Sequence, residues 1–254
     1  MSEQETGLRR LVAVGCRVLG AAGLGDLIWG HLSVRDPAGR GVWMKAATLG
    51  FEEIGYEEVL LVSWDGEILA GSGKRHAEYP IHTEVMRARP DVGAVVHAHP
   101  PHCIALAAIG APLRPISHEA TLFVPPNLAR FAKTGDLILT KGLGEEVARA
   151  LSERNALILN HHGVVVAGST IEEAVVATIL LERACVMQIR AMSAGEITTW
   201  SSDEEALSKR SNCYPPELLL QAWDYLVRRL SQAPDCSDPS SSSTLAPRSV
   251  DRAK

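Results

Sequence analysis

Val92-Gly93-Ala94-Val95-Val96-His97-Ala98-His99-Pro100 is an apolar, β-branched run that ends in two histidines and a proline. A short run of this kind between glycine and proline reads as a buried strand. Side chains two apart on a strand share a face, so His97 and His99 stand side by side, about 7 Å apart along the backbone. Two neutral imidazoles at that spacing suit one metal ion held between them. Two polar residues leaving the core would give the same pattern, so the pair alone does not decide.

A second cluster changes the balance. ALILNHHGVVVAG (156–168) reads as two strand segments meeting at His161-His162. Burying such groups without partners is costly. Neighbouring strand residues face opposite ways, so one of the two histidines joins His97 and His99, and strand geometry does not choose which. Three histidines with an open position make a catalytic rather than a closed structural site. All nine histidines lie between His31 and His162, as a single site built from the middle of the chain would give.

Working outward, residues 8–22 have apolar positions at helical spacing, with Gly23 and Gly25 as a stop. DLIWGHLSVRDPAGRGVWM (26–44) predicts a hairpin, and VLLVSWDGEIL (59–69) predicts another, with Asp65-Gly66 as its turn. AEYPIHTEVMRARP (77–90) predicts a helix with Pro80 in its first turn and Pro90 at its end. ISHEATLF (116–123) and DLILT (136–140) read as short strands, and GEEVARALSER (144–154) as a helix. Thr170 and Glu173 form a capping-box pattern opening a helix to about Met192, and an amphipathic helix follows near PELLLQAWDYLVRRL (216–230). Strands interleaved with helices imply an α/β sheet covered on both faces. Residues 233–254 turn Ser/Pro-rich and read as a disordered tail after one unit spanning 1–232.

The chain has 254 residues, 46% hydrophobic and 22% charged, a balance that supports a core without staples. Five scattered cysteines without a C-x-x-C pair argue against a disulfide scaffold and for a reducing, cytoplasmic setting. A net charge of −5 with no basic cluster argues against nucleic acid. No apolar run reaches the roughly 18 residues of a membrane span. A small-molecule substrate is the remaining expectation.

HAEYPIH (76–82), RPDVGAVVHAHP (89–100) and LILNHHGVVVAG (157–168), in that order, resemble the class II aldolase/adducin family over roughly residues 8–230. The resemblance implies a three-layer α/β/α fold with a mainly antiparallel sheet, and a homotetramer with active sites at subunit interfaces. It implies one divalent metal per chain, Zn2+ or Mn2+, held by His97, His99 and His162, which selects His162 over His161. It also implies that Glu78 is the catalytic acid/base. Glu78 fits independently, since a carboxylate at a helix start is favoured by the free N–H groups and the dipole.

Sugar-phosphate members of that family hold phosphate with Gly-Asn, Thr-Gly and Ser-Ser pairs. At the matching places this chain has Gly30-His31, Lys45-Ala46-Ala47 and His76-Ala77. His31, His76, Lys45 and the neighbouring Arg75 are therefore expected to bind substrate, and cations of this kind pair well with carboxylates. The pattern is closer to the family's metal-dependent decarboxylases of dihydroxyphthalate and hydroxymethylpyridine-dicarboxylate. His118 falls where fuculose enzymes carry a tyrosine that reaches a neighbouring subunit's site, making it a second catalytic candidate; His102 and His161 have weaker claims. The expected activity is decarboxylation of a hydroxylated aromatic dicarboxylate through an enolate-like intermediate. Alternatives are an aldolase, epimerase or dehydratase acting on a sugar phosphate or sugar acid, and a non-catalytic adducin-like module. The complete histidine and glutamate set argues against the last.

Overall fold

The β-branched runs assemble into one eight-stranded sheet in a computed structural model that describes residues 2–232. The strands are β1 (His31–Arg35), β2 (Gly41–Lys45), β3 (Val59–Ser63), β4 (Ile68–Ala70), β5 (Ala94–Ala98), β6 (Ala129–Phe131), β7 (Ala156–Leu159) and β8 (Gly163–Gly168). Their spatial order is β4-β3-β2-β1-β5-β8-β7-β6, and every pair is antiparallel except β6–β7. Alternation along each strand divides the core. On β5, Ala94, Val96 and Ala98 face α1 (Glu3–Leu19), α3 (Pro101–Ala108), α6 (Ile171–Ala194) and α8 (Pro216–Gln232). Val95 faces the other way, towards α2 (Tyr79–Ala88) and α5 (Lys141–Leu151). The result is the α/β/α sandwich with a mainly antiparallel sheet that the resemblance implies. Each fully buried aliphatic side chain contributes about 1.5–3 kcal/mol of apolar transfer.

Two expected strands are not strands. Residues 118–121 form a short helix, α4 (His118–Thr121), in which Thr121 Oγ1 donates to the His118 carbonyl and Ala120 turns into the core. DLILT (136–140) is irregular because its backbone bonds elsewhere: the Ile138 N–H donates to a Glu78 carboxylate oxygen at 2.8 Å. The reading also passed over α3, which starts at Pro101 as prolines favour, and α7 (Asp203–Cys213), where Ala206 alone is buried and periodicity is faint. The expected tail at 233–254 lies outside the described residues. Among the described residues no helix is long and apolar enough to cross a membrane.

For the site, the central pairing matters most. His31 on β1 lies directly across from His97 on β5, and His97 lies across from Val165 on β8. Gly30 enters β1 with φ +77°, and a Cβ there would press on the Phe51 ring at 2.9 Å, so glycine lets the chain bring His31 into register.

Candidate metal centre

His97 and His99 are each fixed by a bond from the far side of the ring. His97 Nδ1 is 3.0 Å from the Val164 carbonyl oxygen, and His99 Nδ1 is 2.8 Å from Asp26 Oδ2. Both contacts need an N–H on Nδ1, so both Nε2 atoms carry lone pairs. Those two Nε2 atoms face each other at 3.0 Å, and neither can donate to the other. His162 adds a third ring whose two nitrogens are buried without a hydrogen-bond partner. A ligand nitrogen from each of the three lies within 4.8 Å of the others. Two nitrogens bound tetrahedrally to one zinc at about 2.0–2.1 Å would be about 3.3 Å apart, close to the observed pair. The donors therefore fit a divalent cation, which also answers the facing lone pairs and the orphaned nitrogens. The Asp26–His99 bond is the outer-shell carboxylate that typically sets a ligand's tautomer.

Local backbone explains how His162 arrives. His161 takes the left-handed conformation at φ +61° in the β7–β8 turn and stays exposed, while His162 turns inward. Gly163 follows, and a Cβ there would lie 2.4 Å from the Ala98 carbonyl and 2.7 Å from the His99 ring. The order His-His-Gly thus makes the turn, supplies the third imidazole and leaves room for the second.

Glu78 stands at the N-cap of α2, with Oε1 accepting from the Ile138 N–H at 2.8 Å. Its oxygens lie 3.6 Å from His162 Nε2 and 3.8 Å from Nε2 of both His97 and His31. Burial pushes this carboxyl up, but its closeness to His162 and His31 outweighs burial and holds it well below the usual carboxylate range. Burial pushes His31 and His97 well below the usual imidazole value, and His76 and His82 down to about 3. The carboxylate thus lies within 3.8 Å of three rings, those of His31, His97 and His162. Lys45 is fully buried, and its Nζ donates to the Ile28 and Ala46 carbonyls at 3.3 Å and to His76 Nε2 at 3.2 Å. Burial lowers its pKa to about 8. His76 in turn packs on His31, with ring centroids 4.4 Å apart.

His31, Lys45, His76, Glu78, His97, His99 and His162 are therefore brought together. Arg75 is not: its guanidinium binds the Gly66 and His76 carbonyls and lies over the Tyr79 ring at 4.2 Å, a structural cation rather than one facing the cluster. His118 sits beside Cys213 at 3.2 Å, and His102 is held by Glu182 at 2.7 Å. Sequence reasoning missed Asp26, Ser33 and the contacts of His82. A lone aspartate or serine in a β-rich stretch carries no signal of its own; each is recognised by the imidazole it touches.

Residues 10–189 match the family described as Class II Aldolase and Adducin N-terminal domain. The chain is 32% identical over 209 residues to a 3,4-dihydroxyphthalate decarboxylase of Arthrobacter keyseri, covering 74% of this chain and 80% of that one. It is 28% identical to a 5-methylthioribulose-1-phosphate/5-deoxyribulose-1-phosphate aldolase of Rhodospirillum rubrum, covering 78% and 87%. Among solved structures, an aldolase II superfamily protein of Pseudomonas syringae superposes with a TM-score of 0.81 at 28% identity, over 92% of this chain and 96% of that one. With the fold, the ordered motifs and this match, the chain belongs to the class II aldolase/adducin family, whose members related to it include both decarboxylases and aldolases.

Proposed function

We propose that this protein is a divalent-metal-dependent carboxy-lyase that removes CO2 from an ortho-hydroxylated aromatic dicarboxylate. The observation that carries the metal is the pair of lone-pair-bearing Nε2 atoms of His97 and His99 at 3.0 Å, beside the unpartnered His162. Zn2+ or Mn2+ suits three imidazoles, and when bound it spreads the charge that carbon–carbon cleavage leaves on the substrate. Glu78, held as a carboxylate, takes the substrate's hydroxyl proton and returns it to the ring carbon that bears the departing carboxylate. The ring–carboxylate bond then breaks, its electron pair restores the aromatic ring as a phenolate, and CO2 leaves. Lys45, His76 and His31 lie together beside the cluster, a cation and two imidazoles where the sequence reading expects a carboxylate, and the decarboxylase relative supports the same substrate class. The catalytic unit proposed is 1–232, acting in the cytoplasm as a homotetramer whose sites lie between subunits. That arrangement would allow His118, remote from the cluster of its own chain, to serve a neighbour.

The test is a substrate panel with metal-loaded protein. CO2 release from 3,4-dihydroxyphthalate or a related hydroxylated dicarboxylate is expected. Cleavage of 5-methylthioribulose-1-phosphate with no turnover of any aromatic acid would sink the decarboxylase reading and favour the aldolase.

A further inference from the structure

Ser33, His82 and His31 form a buried line of side chains that ends at Glu78 and takes no part in the steps above. Ser33 Oγ is 2.6 Å from His82 Nδ1, and His82 Nε2 is 2.6 Å from His31 Nδ1. The far nitrogen of His31, Nε2, lies 3.8 Å from Glu78 Oε2. Ser33 and His82 are fully buried, and His31 is 2% exposed. The fold builds this line directly. Ser33 and His31 are two apart on β1 and share a face, while His82 lies one turn beyond Glu78 on α2, above that face.

We propose that Ser33 and His82 are positioning residues that lock His31 with its proton on Nε2, facing Glu78. The hydrogens available along the line set its direction. A neutral imidazole has one donor and one acceptor, so the line must run in a single direction. In one direction Ser33 donates to His82 Nδ1, His82 Nε2 donates to His31 Nδ1, and the His31 Nε2–H points at the carboxylate. The two inner donors are then satisfied, and the last one faces a carboxylate oxygen 3.8 Å away. In the other direction the His82 Nδ1–H turns to Ser33 or to the nearby Val95 carbonyl, and the Ser33 hydrogen, whose one hydrogen-bond contact is His82, is left without an acceptor. His31 would also turn a lone pair towards a carboxylate in a buried setting, which is repulsive. The line has no exit, because a buried serine hydroxyl has no proton source behind it. It therefore cannot relay protons and can only hold one arrangement. With His31 fixed as a donor, Glu78 keeps its carboxylate oriented by Ile138 on one oxygen and His31 on the other, poised to receive a proton.

The inference deepens the proposed site, and its kinetic arm alone rests on the decarboxylase reading. The first measurement is 15N NMR of histidine-labelled protein loaded with Zn2+, with the His31 signals identified by their loss in His31→Gln. His31 is expected with hydrogen on Nε2 and a bare Nδ1 in the native protein, and as a mixture of tautomers in Ser33→Ala. Ser33→Thr, which keeps the hydroxyl, should restore the single form. With 3,4-dihydroxyphthalate, Ser33→Ala should lower kcat about 3- to 10-fold with KM within about 2-fold, the scale of one lost neutral hydrogen bond. A proton on His31 Nδ1 in the native protein, the direction that bonding of His82 to the nearby Val95 carbonyl would favour, would overturn the proposal. So would an unchanged tautomer in Ser33→Ala. If the native enzyme does not turn over that substrate, the aromatic reading fails while the NMR result still decides the lock.

Discussion

Asp26, half-buried in its loop, touches the candidate metal centre through His99, and this gives it a measurable role in the proposed site. Asp26→Ala should retain the fold but weaken Zn2+ about 10- to 100-fold, the usual cost of losing an outer-shell partner; unchanged affinity in a chelator competition would remove Asp26 from the site. His162→Ala should lose the metal outright, whereas His161→Gly, which suits the left-handed turn, should keep it without loss of stability. The reverse pattern in metal analysis would exchange the two histidines. Lys45, if it binds substrate as proposed, sets function against stability. Its pKa falls to about 8 in the fold, so between about 8 and the ordinary lysine value the folded chain binds fewer protons than the unfolded one. Stability therefore rises with pH through that window, and below it the full burden of a buried cation remains. Lys45→Met should raise stability at pH 7 by on the order of 2–3 kcal/mol, a gain that fades above pH 8, while substrate binding is lost. Equal melting temperatures for the two proteins at pH 7 would show that the ammonium is better satisfied than its burial suggests.

At the level of elements, the β5 exit and the β7–β8 turn share a gap that admits no side chain at Gly163. Gly163→Ala should cost about 1–3 kcal/mol and displace His99, lowering metal content together with melting temperature. Gly142→Ala, in the first turn of α5 with open space around it, should cost nothing by comparison. Full metal retention in Gly163→Ala would mean that the turn can yield. These elements were also the most legible in the sequence. β5, β7 and β8 lie in short, mostly apolar runs, and Glu78, Pro80 and His82 mark the start of α2 within one turn. Thr170 caps α6 as read, but the Glu173 carboxylate serves Ser169 instead of closing the box. The elements that were misread owe their shape to distant partners. DLILT is irregular because Glu78, 60 residues away, takes the Ile138 N–H, and such a bond leaves no trace in local spacing. Arg75 was misplaced for a similar reason: a cation beside His76 can turn to Gly66 and Tyr79 as easily as to the site, and the chain alone does not tell which.

On the scale of the whole molecule, the cluster is assembled at one end of the central strands, and the loop beside it exposes apolar side chains. Leu27 and Trp29 flank the loop that carries Asp26 and the Ile28 carbonyl bound by Lys45, and both are more than half exposed. Exposed apolar side chains beside the proposed site suit coverage by another protein surface. His118, the second catalytic candidate, bonds Cys213 and no member of the cluster. If sites lie between subunits, as proposed, a cluster in one chain and His118 in its neighbour form one working unit. His118→Ala and His162→Ala should then each be inactive as pure proteins. Co-expressed at equal levels, they should recover roughly a quarter of native activity, since random assembly in a closed ring gives that share of sites an intact cluster and an intact neighbour. Activity that stays at the level of the pure variants would place every required residue in one chain, and full activity of His118→Ala alone would remove that histidine from the reaction. The second result would leave the metal centre unchanged and both proton steps with Glu78 alone, as the proposed mechanism has them.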